Sequence, residues 1–181
     1  WLSSRGLGDV YKRQVLDVAC GTGEWTVHLA RLNERVSGFD LDGEAVKRGM
    51  QADPKPDYFL ADMLHIPNPD QSFDGIFCFD SMMFANPTRV LREFHRLLRP
   101  GGRLYATING IGWAAYCILH RGFRNGDLSK VNMGGRMFLD TMTRRMVNAE
   151  RQIENTFFSV KDLHLLARQT GFSVKYVGLE G

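Results

Sequence analysis

The chain has 181 residues, a formal net charge of +3, 44% hydrophobic residues and 24% charged residues. That balance suits one globular domain with a sizeable core and excludes a fibrous, low-complexity or repeat chain. No apolar run approaches the roughly 20 residues that a membrane-spanning helix needs.

Charge is uneven along the chain. Residues 1–100 carry 12 Lys/Arg against 14 Asp/Glu, and residues 101–181 carry 11 against 6. The three cysteines, Cys20, Cys78 and Cys117, have no CxxC or metal-type spacing. Free thiols, a cytoplasmic location and no metal are the expectations.

The first segment, Ser4–Gln14, reads SRGLGDVYKRQ. Written back as codons it resembles a sequencing-library adapter, so residues 1–14 are set apart and native sequence is expected from near Val15. The first strand is then VLDVAC, residues 15–20, an apolar run with β-branched residues. CGTG follows, and Trp25, Leu29 and Leu32 recur at helical spacing beyond it. RVSGFDL (35–41) reads as a second strand, with a short helix through Ala45, Val46, Gly49 and Met50. DYFLAD (57–62) is a third strand and FDGIFCFD (73–80) a fourth.

Val90, Leu91, Phe94, Leu97 and Leu98 mark an amphipathic helix that RPGG should stop. GRLYATIN (102–109) is the fifth strand. Residues 110–156 are too long for a plain loop. They are expected to form a helical insertion, with Trp113, Tyr116 and Leu119 or His120 on one face and Met133, Met137, Leu139 and Met142 on another. Ser159 and Asp162 suit a capping box opening DLHLLARQ, with Gly171 at its C-terminal cap, and FSVKYVG (172–178) reads as a last strand. Strand–helix alternation of this kind predicts an α/β fold, a doubly wound and mostly parallel sheet. Ligands bind such sheets outside the carboxyl ends of the strands, where strand order switches. That rule gathers Cys20–Trp25, Asp40, Asp62 and Phe79–Met83 around one crevice.

A strand, a glycine turn and a helix N-terminus favour an anion, because free N–H groups point outward there. The dinucleotide fingerprint wants a third glycine, but Thr26 holds that position. An acid at the end of the second strand, Asp40, is nevertheless present.

Together VLDVACGTGEWT, GFDLD, ADMLHIP, FDGIFCFDSMMF and LLRPGGRLY resemble the class I S-adenosylmethionine-dependent methyltransferases, strongly over 15–109 and more weakly over 157–178. The resemblance implies a Rossmann-like sheet, S-adenosylmethionine as cofactor, and methyl transfer to an O, N or C atom. It also implies that a closing hairpin is missing beyond Gly181, as the adapter-like segment implies lost sequence before Val15. By resemblance, Asp17, Cys20, Gly21, Thr22 and Gly23 lie by the methionine part, Asp40 by the ribose hydroxyls, and Asp62 by the adenine amino group. Leu41 and Met63 flank the ring, and Phe79 lies near the sulfonium. Asp80, Met83, Trp113, Tyr116 and His120 are candidate acceptor residues, with Arg121 and Arg124 beside them. His28, His120 and Asp80 are imaginable bases, though His28 reads as a surface or packing residue and His65 as structural.

FDSMMF stands where enzymes that methylate amino groups of nucleic acids often carry an NPPY-like run. A small-molecule acceptor is therefore expected, with no nucleic acid and no membrane span. The alternatives are a nicotinamide-dependent oxidoreductase on a similar sheet and a non-catalytic S-adenosylmethionine-binding module.

Overall fold

The computed structural model describes residues 13–107 and 160–178, together with Asn132, Gly135, Arg136 and Leu139. Five strands form one sheet: β1 (Gln14–Val18), β2 (Arg35–Asp40), β3 (Asp57–Leu60), β4 (Phe73–Cys78) and β5 (Leu98–Ala106). Four helices are described along their length, α1 (Glu24–Leu32), α2 (Gly43–Ala52), α3 (Pro87–Leu97) and α4 (Val160–Gln169), and Met82–Phe84 form a 3-10 turn. Strand order is β3-β2-β1-β4-β5, and every neighbouring pair is parallel. The chain starts in the middle, steps outward to β3, then returns to the other side of β1. The switch in strand order therefore falls between β1 and β4, as the sequence pattern requires.

The chain divides into two compact units. One holds the sheet, α1, α2 and the Glu93–Leu97 end of α3; the other holds Met82–Arg92 and α4. In the first unit, Val15, Leu16, Asp17 and Val18 are all buried, which is the signature of a central strand covered on both faces. Phe39, Ile76 and Cys78 complete the buried rows on β2 and β4.

The helix ends obey local chemistry. Asp42 caps α2 by accepting from Glu44 N–H at 2.9 Å and Ala45 N–H at 3.3 Å. In the second unit, α4 closes with Phe172 N–H donating to the Ala167 carbonyl and Gly171 N–H to the Arg168 carbonyl. Gly171 has φ +87°, so the expected C-terminal cap is formed.

Three expectations change. Trp25 and Leu32 are exposed; α1 buries Thr26 and Ala30 instead. The apolar repeat ran one position off the face that meets the sheet. RPGG does not precede β5 but lies inside it: Arg99–Gly102 bulge out between the Phe73–Leu98 and Gly75–Arg103 pairs. Arg99 grips both Asp74 oxygens, at 2.9 and 2.8 Å, and reaches Gln14 Oε1 at 3.1 Å. Gln14 is already the first residue of β1, and its N–H donates to Asp74 Oδ2 at 2.8 Å. FSVKYVG takes no strand conformation. A strand needs a partner, and none of the described residues pairs with it; Tyr176 is 86% exposed. Of the expected helical insertion, Asn132, Gly135, Arg136 and Leu139 are described and all four are helical, with Leu139 exposed; Trp113, Tyr116, His120, Arg121, Arg124, Met133, Met137 and Met142 lie outside the described residues, as does Cys117. Among the described residues, no helix is long and apolar enough to cross a membrane.

Candidate functional site

The site begins where β1 stops. Ala19 has φ +53°, Gly21 φ +55° and Gly23 φ +85°. Three left-handed residues in five positions coil the chain into a tight turn, a conformation that costs a non-glycine residue roughly 1–2 kcal/mol. Cys20 N–H extends the β1–β2 ladder to the Phe39 carbonyl at 2.9 Å, and Gly23 N–H closes the turn on the Cys20 carbonyl at 2.9 Å. Gly23 is then the N-cap of α1, with no side chain capping the first-turn N–H groups. A methyl group at Gly23 would run into the Tyr58 hydroxyl, whereas one at Gly21 would meet open space.

Asp40, at the end of β2, ties this turn down. Its Oδ2 accepts the Gly21 N–H at 2.8 Å and its Oδ1 accepts the Asp42 N–H at 2.9 Å. An ionised carboxylate has about four acceptor positions, so about two remain for a ligand.

Beneath the turn, Asp17 is 2% exposed and accepts from Thr26 Oγ1 at 2.6 Å. Burial raises its pKa from 3.8 to about 7; the Thr26 bond opposes the rise and the Asp40 charge adds to it. The Cys20 thiol is pushed up to about 12, by burial first and then by Asp17 and Asp40. It stays protonated and is a poor nucleophile.

A cleft of about 280 Å³ opens over these residues, lined by Asp17–Thr22, Glu24, Trp25 and Phe79. Trp25 packs against Phe79 at 5.2 Å and Phe77 at 5.4 Å between ring centroids, and Phe77 stacks on Tyr105 at 5.1 Å. One wall is thus aromatic and the floor carries backbone polar groups and carboxylates. That mixture suits a ligand with a charged end and an apolar or cationic middle.

Asp17, Cys20, Gly21, Thr22 and Phe79 come together as the sequence pattern expected. Asp40 joins them through Gly21 rather than by lining the cleft. Gly23 shapes the turn without lining it. Leu41, Asp62 and Met63 stand at the tips of β2 and β3, outside the lining, and Leu41 is 73% exposed. Asp62 organises its own turn, accepting Leu64 N–H on Oδ1 and His65 N–H on its carbonyl, both at 2.9 Å. His65 joins this turn through its backbone N–H, and the residue is exposed. Asp80 is exposed with φ +49° and does not line the cleft. The Met83 side chain lies outside the described residues. His28 is exposed on α1, edge-on to Trp25.

Glu24 and Trp25 line the cleft, as the Cys20–Trp25 span expected, although neither was given a role in binding. The signal for one was their place in the first turn after the glycines, where side chains point back over the preceding turn. Among the described residues, no group of three His, Cys, Asp or Glu is arranged to hold a metal ion, and neither Cys20 nor Cys78 is in a disulfide.

The profile of a family described as a methyltransferase domain matches residues 16–106. A malonyl-[acyl-carrier protein] O-methyltransferase of Yersinia pestis is 40% identical over 91 residues, covering 49% of this chain and 33% of that protein. A ubiquinone biosynthesis O-methyltransferase of Xanthomonas oryzae pv. oryzae is 33% identical over 108 residues, covering 56% and 45%. The chain thus spans less than half the length of these curated relatives. Among solved structures, a SAM-dependent methyltransferase of Methanosarcina mazei shares the fold with a TM-score of 0.66 at 19% identity, covering 91% of this chain and 82% of that one.

Proposed function

The chain belongs to the methyltransferase-domain family, and from that premise we propose that it binds S-adenosylmethionine over the β1 turn and transfers its methyl group to an O, N or C atom of a small-molecule acceptor. The observation that carries this reading is the 2.8 Å bond from Gly21 N–H to Asp40 Oδ2. It joins an anion-friendly turn to a hydroxyl-binding acid at the correct end of the sheet.

The residues fit the cofactor. The open space above Gly21 lets a ligand approach the backbone. The uncapped first turn of α1 offers N–H groups to the methionine carboxylate. Glu24 sets negative charge near the ammonium, and Asp17 offers it an acceptor oxygen. Asp40 keeps acceptor positions for the ribose hydroxyls. Asp62 meets the adenine amino group, with Leu41 and Met63 against the ring, and Phe79 and Trp25 wall the sulfonium. When bound, the cofactor supplies an activated methyl group. The chain then needs to orient the acceptor in line with it and exclude water, more than it needs an acid or a base.

The matched relatives are named as O-methyltransferases acting on an acyl-carrier-bound malonyl group and in ubiquinone biosynthesis. Their names support a small or carrier-bound acceptor rather than nucleic acid. Unbridged thiols at Cys20 and Cys78 support a cytoplasmic setting. The test incubates the protein with S-adenosylmethionine and a panel of carboxylate, phenol and amine acceptors and follows release of S-adenosylhomocysteine. Acceptor-dependent release that Asp40→Ala weakens at low cofactor concentration supports the reading. Binding with no turnover on any acceptor would leave a binding module in its place.

A further inference from the structure

We propose that Arg96 and Glu93, which never meet the cleft, are positioning residues that clamp the turn Asp62–His65 and so set how the site recognises the purine base. The proposal rests on the reading that Asp62 and Met63 face that base.

The clamp is dense. A guanidinium has five N–H donors, and all five of Arg96 are used. Nε donates to Glu93 Oε2 at 2.9 Å and Nη2 to Glu93 Oε1 at 2.6 Å. Nη2 also donates to the Ile66 carbonyl at 3.0 Å. Nη1 donates to the Asn68 carbonyl at 2.8 Å and to Asp70 Oδ1 at 2.7 Å. Glu93 Oε1 accepts the Ile66 N–H at 2.9 Å. Both backbone groups of Ile66 are therefore held by two side chains one helical turn apart. The Ile66 side chain is 3% exposed, a third anchor. The Arg96 carbonyl takes the Gln71 N–H at 2.9 Å, at the far end of the same loop.

The other end of the turn is also fixed. Ala61 N–H donates to the Asp40 carbonyl at 3.1 Å. Between these two anchors, Asp62 and His65 close on each other as an isolated antiparallel bridge. Only four residues lie between a fixed entry and a fixed exit. The direction in which Asp62 presents its remaining acceptor oxygen, Oδ2, is thus set by Ile66, and Ile66 by the Glu93–Arg96 pair.

A plain surface ion pair does not explain this arrangement. Such pairs contribute little, and a lysine would satisfy one as well. Here three of the five donors leave Glu93 for the loop. The Glu93 carboxyl is held below its ordinary value, chiefly by the Arg96 hydrogen bonds, so it remains an acceptor for Ile66. A lysine has three donors on a single nitrogen, so it cannot hold both Glu93 oxygens, two carbonyls and Asp70 at once.

The test compares S-adenosylhomocysteine with S-inosylhomocysteine, which lacks the amino group that Asp62 would receive. Both are titrated by calorimetry into the wild-type chain, Arg96→Lys and Asp62→Ala, each well below its own melting temperature. Amide exchange of residues 62–66 is followed without ligand. The wild type should prefer the adenosyl compound by about tenfold, one hydrogen bond's worth. Asp62→Ala should erase the preference. Arg96→Lys should cut it to below about threefold and speed exchange at 62–66. A merely structural role would weaken both ligands equally and keep their ratio. An unchanged ratio in Arg96→Lys beside an erased ratio in Asp62→Ala overturns the clamp alone. A wild type that shows no preference overturns the assignment of Asp62 to the base, and this inference with it.

Discussion

The Gly21 N–H donates to Asp40 Oδ2 at 2.8 Å, so the glycine turn after β1 and the acid ending β2 form one unit. Asp40 does two jobs on this account. It fixes the turn from below and offers its remaining acceptor positions to a ligand. Asp40→Ala removes both. Calorimetry with S-adenosylhomocysteine should show a loss of roughly 1–3 kcal/mol, about tenfold to a hundredfold in affinity. Unchanged affinity would take Asp40 out of the site.

The two turn glycines should respond differently to alanine. Both have positive φ, so each substitution carries backbone strain of roughly 1–2 kcal/mol. At Gly21 nothing stands near the added methyl, so strain is the whole stability cost. At Gly23 the methyl also displaces the buried Tyr58 ring end, adding about 1–3 kcal/mol. Denaturant unfolding should rank Gly23→Ala below Gly21→Ala, and Gly23→Ala with Tyr58→Phe should recover little, since the ring carbons also crowd the site. Equal stabilities would mean that Tyr58 does not pack under the turn.

Asp17 should make stability fall as pH rises. Its pKa goes from 3.8 when exposed to about 7 when buried. Between those values the folded state holds more protons than the unfolded one, so raising the pH favours unfolding. The contribution is fully present below about 4 and lost as pH passes 7. Asp17→Asn keeps an acceptor for Thr26 and removes the titration. Its melting temperature relative to wild type should therefore climb between pH 4 and 7. Parallel curves would show that Asp17 is already ionised in the fold.

Much of the fold was legible because parallel strands buried on both faces leave apolar runs, as at Val15–Val18, and because a helix cap such as Gly171 is local chemistry. The Rossmann-like order and the acid at Asp40 followed from that. What escaped depended on partners distant in sequence. The Arg99–Asp74 fork turns a helix stop into a bulge within β5, and nothing near RPGG announces Asp74. FSVKYVG has the right composition for a strand, but composition cannot supply a neighbour to pair with. Trp25 was expected at the crevice and also matched a helical apolar repeat, and only the rotation of α1 on the sheet decides that Thr26, not Trp25, faces the core.

That rotation gives Trp25 a use as a reporter. The chain has three tryptophans, Trp1, Trp25 and Trp113, and Trp25 lines the cleft, half exposed. S-adenosylhomocysteine should change the tryptophan emission of the wild type, and Trp25→Phe should remove most of that change while shifting the melting temperature little. A full response in Trp25→Phe would place the ligand elsewhere.

The central claim is that the cleft over the β1 turn holds the methyl donor. Paired calorimetric titrations of the folded protein with S-adenosylhomocysteine and with NADH test it most directly. The account predicts saturable one-to-one binding of S-adenosylhomocysteine, weakened by Asp40→Ala, and no binding of NADH. Folded protein that ignores S-adenosylhomocysteine, or that takes NADH as readily, would contradict it.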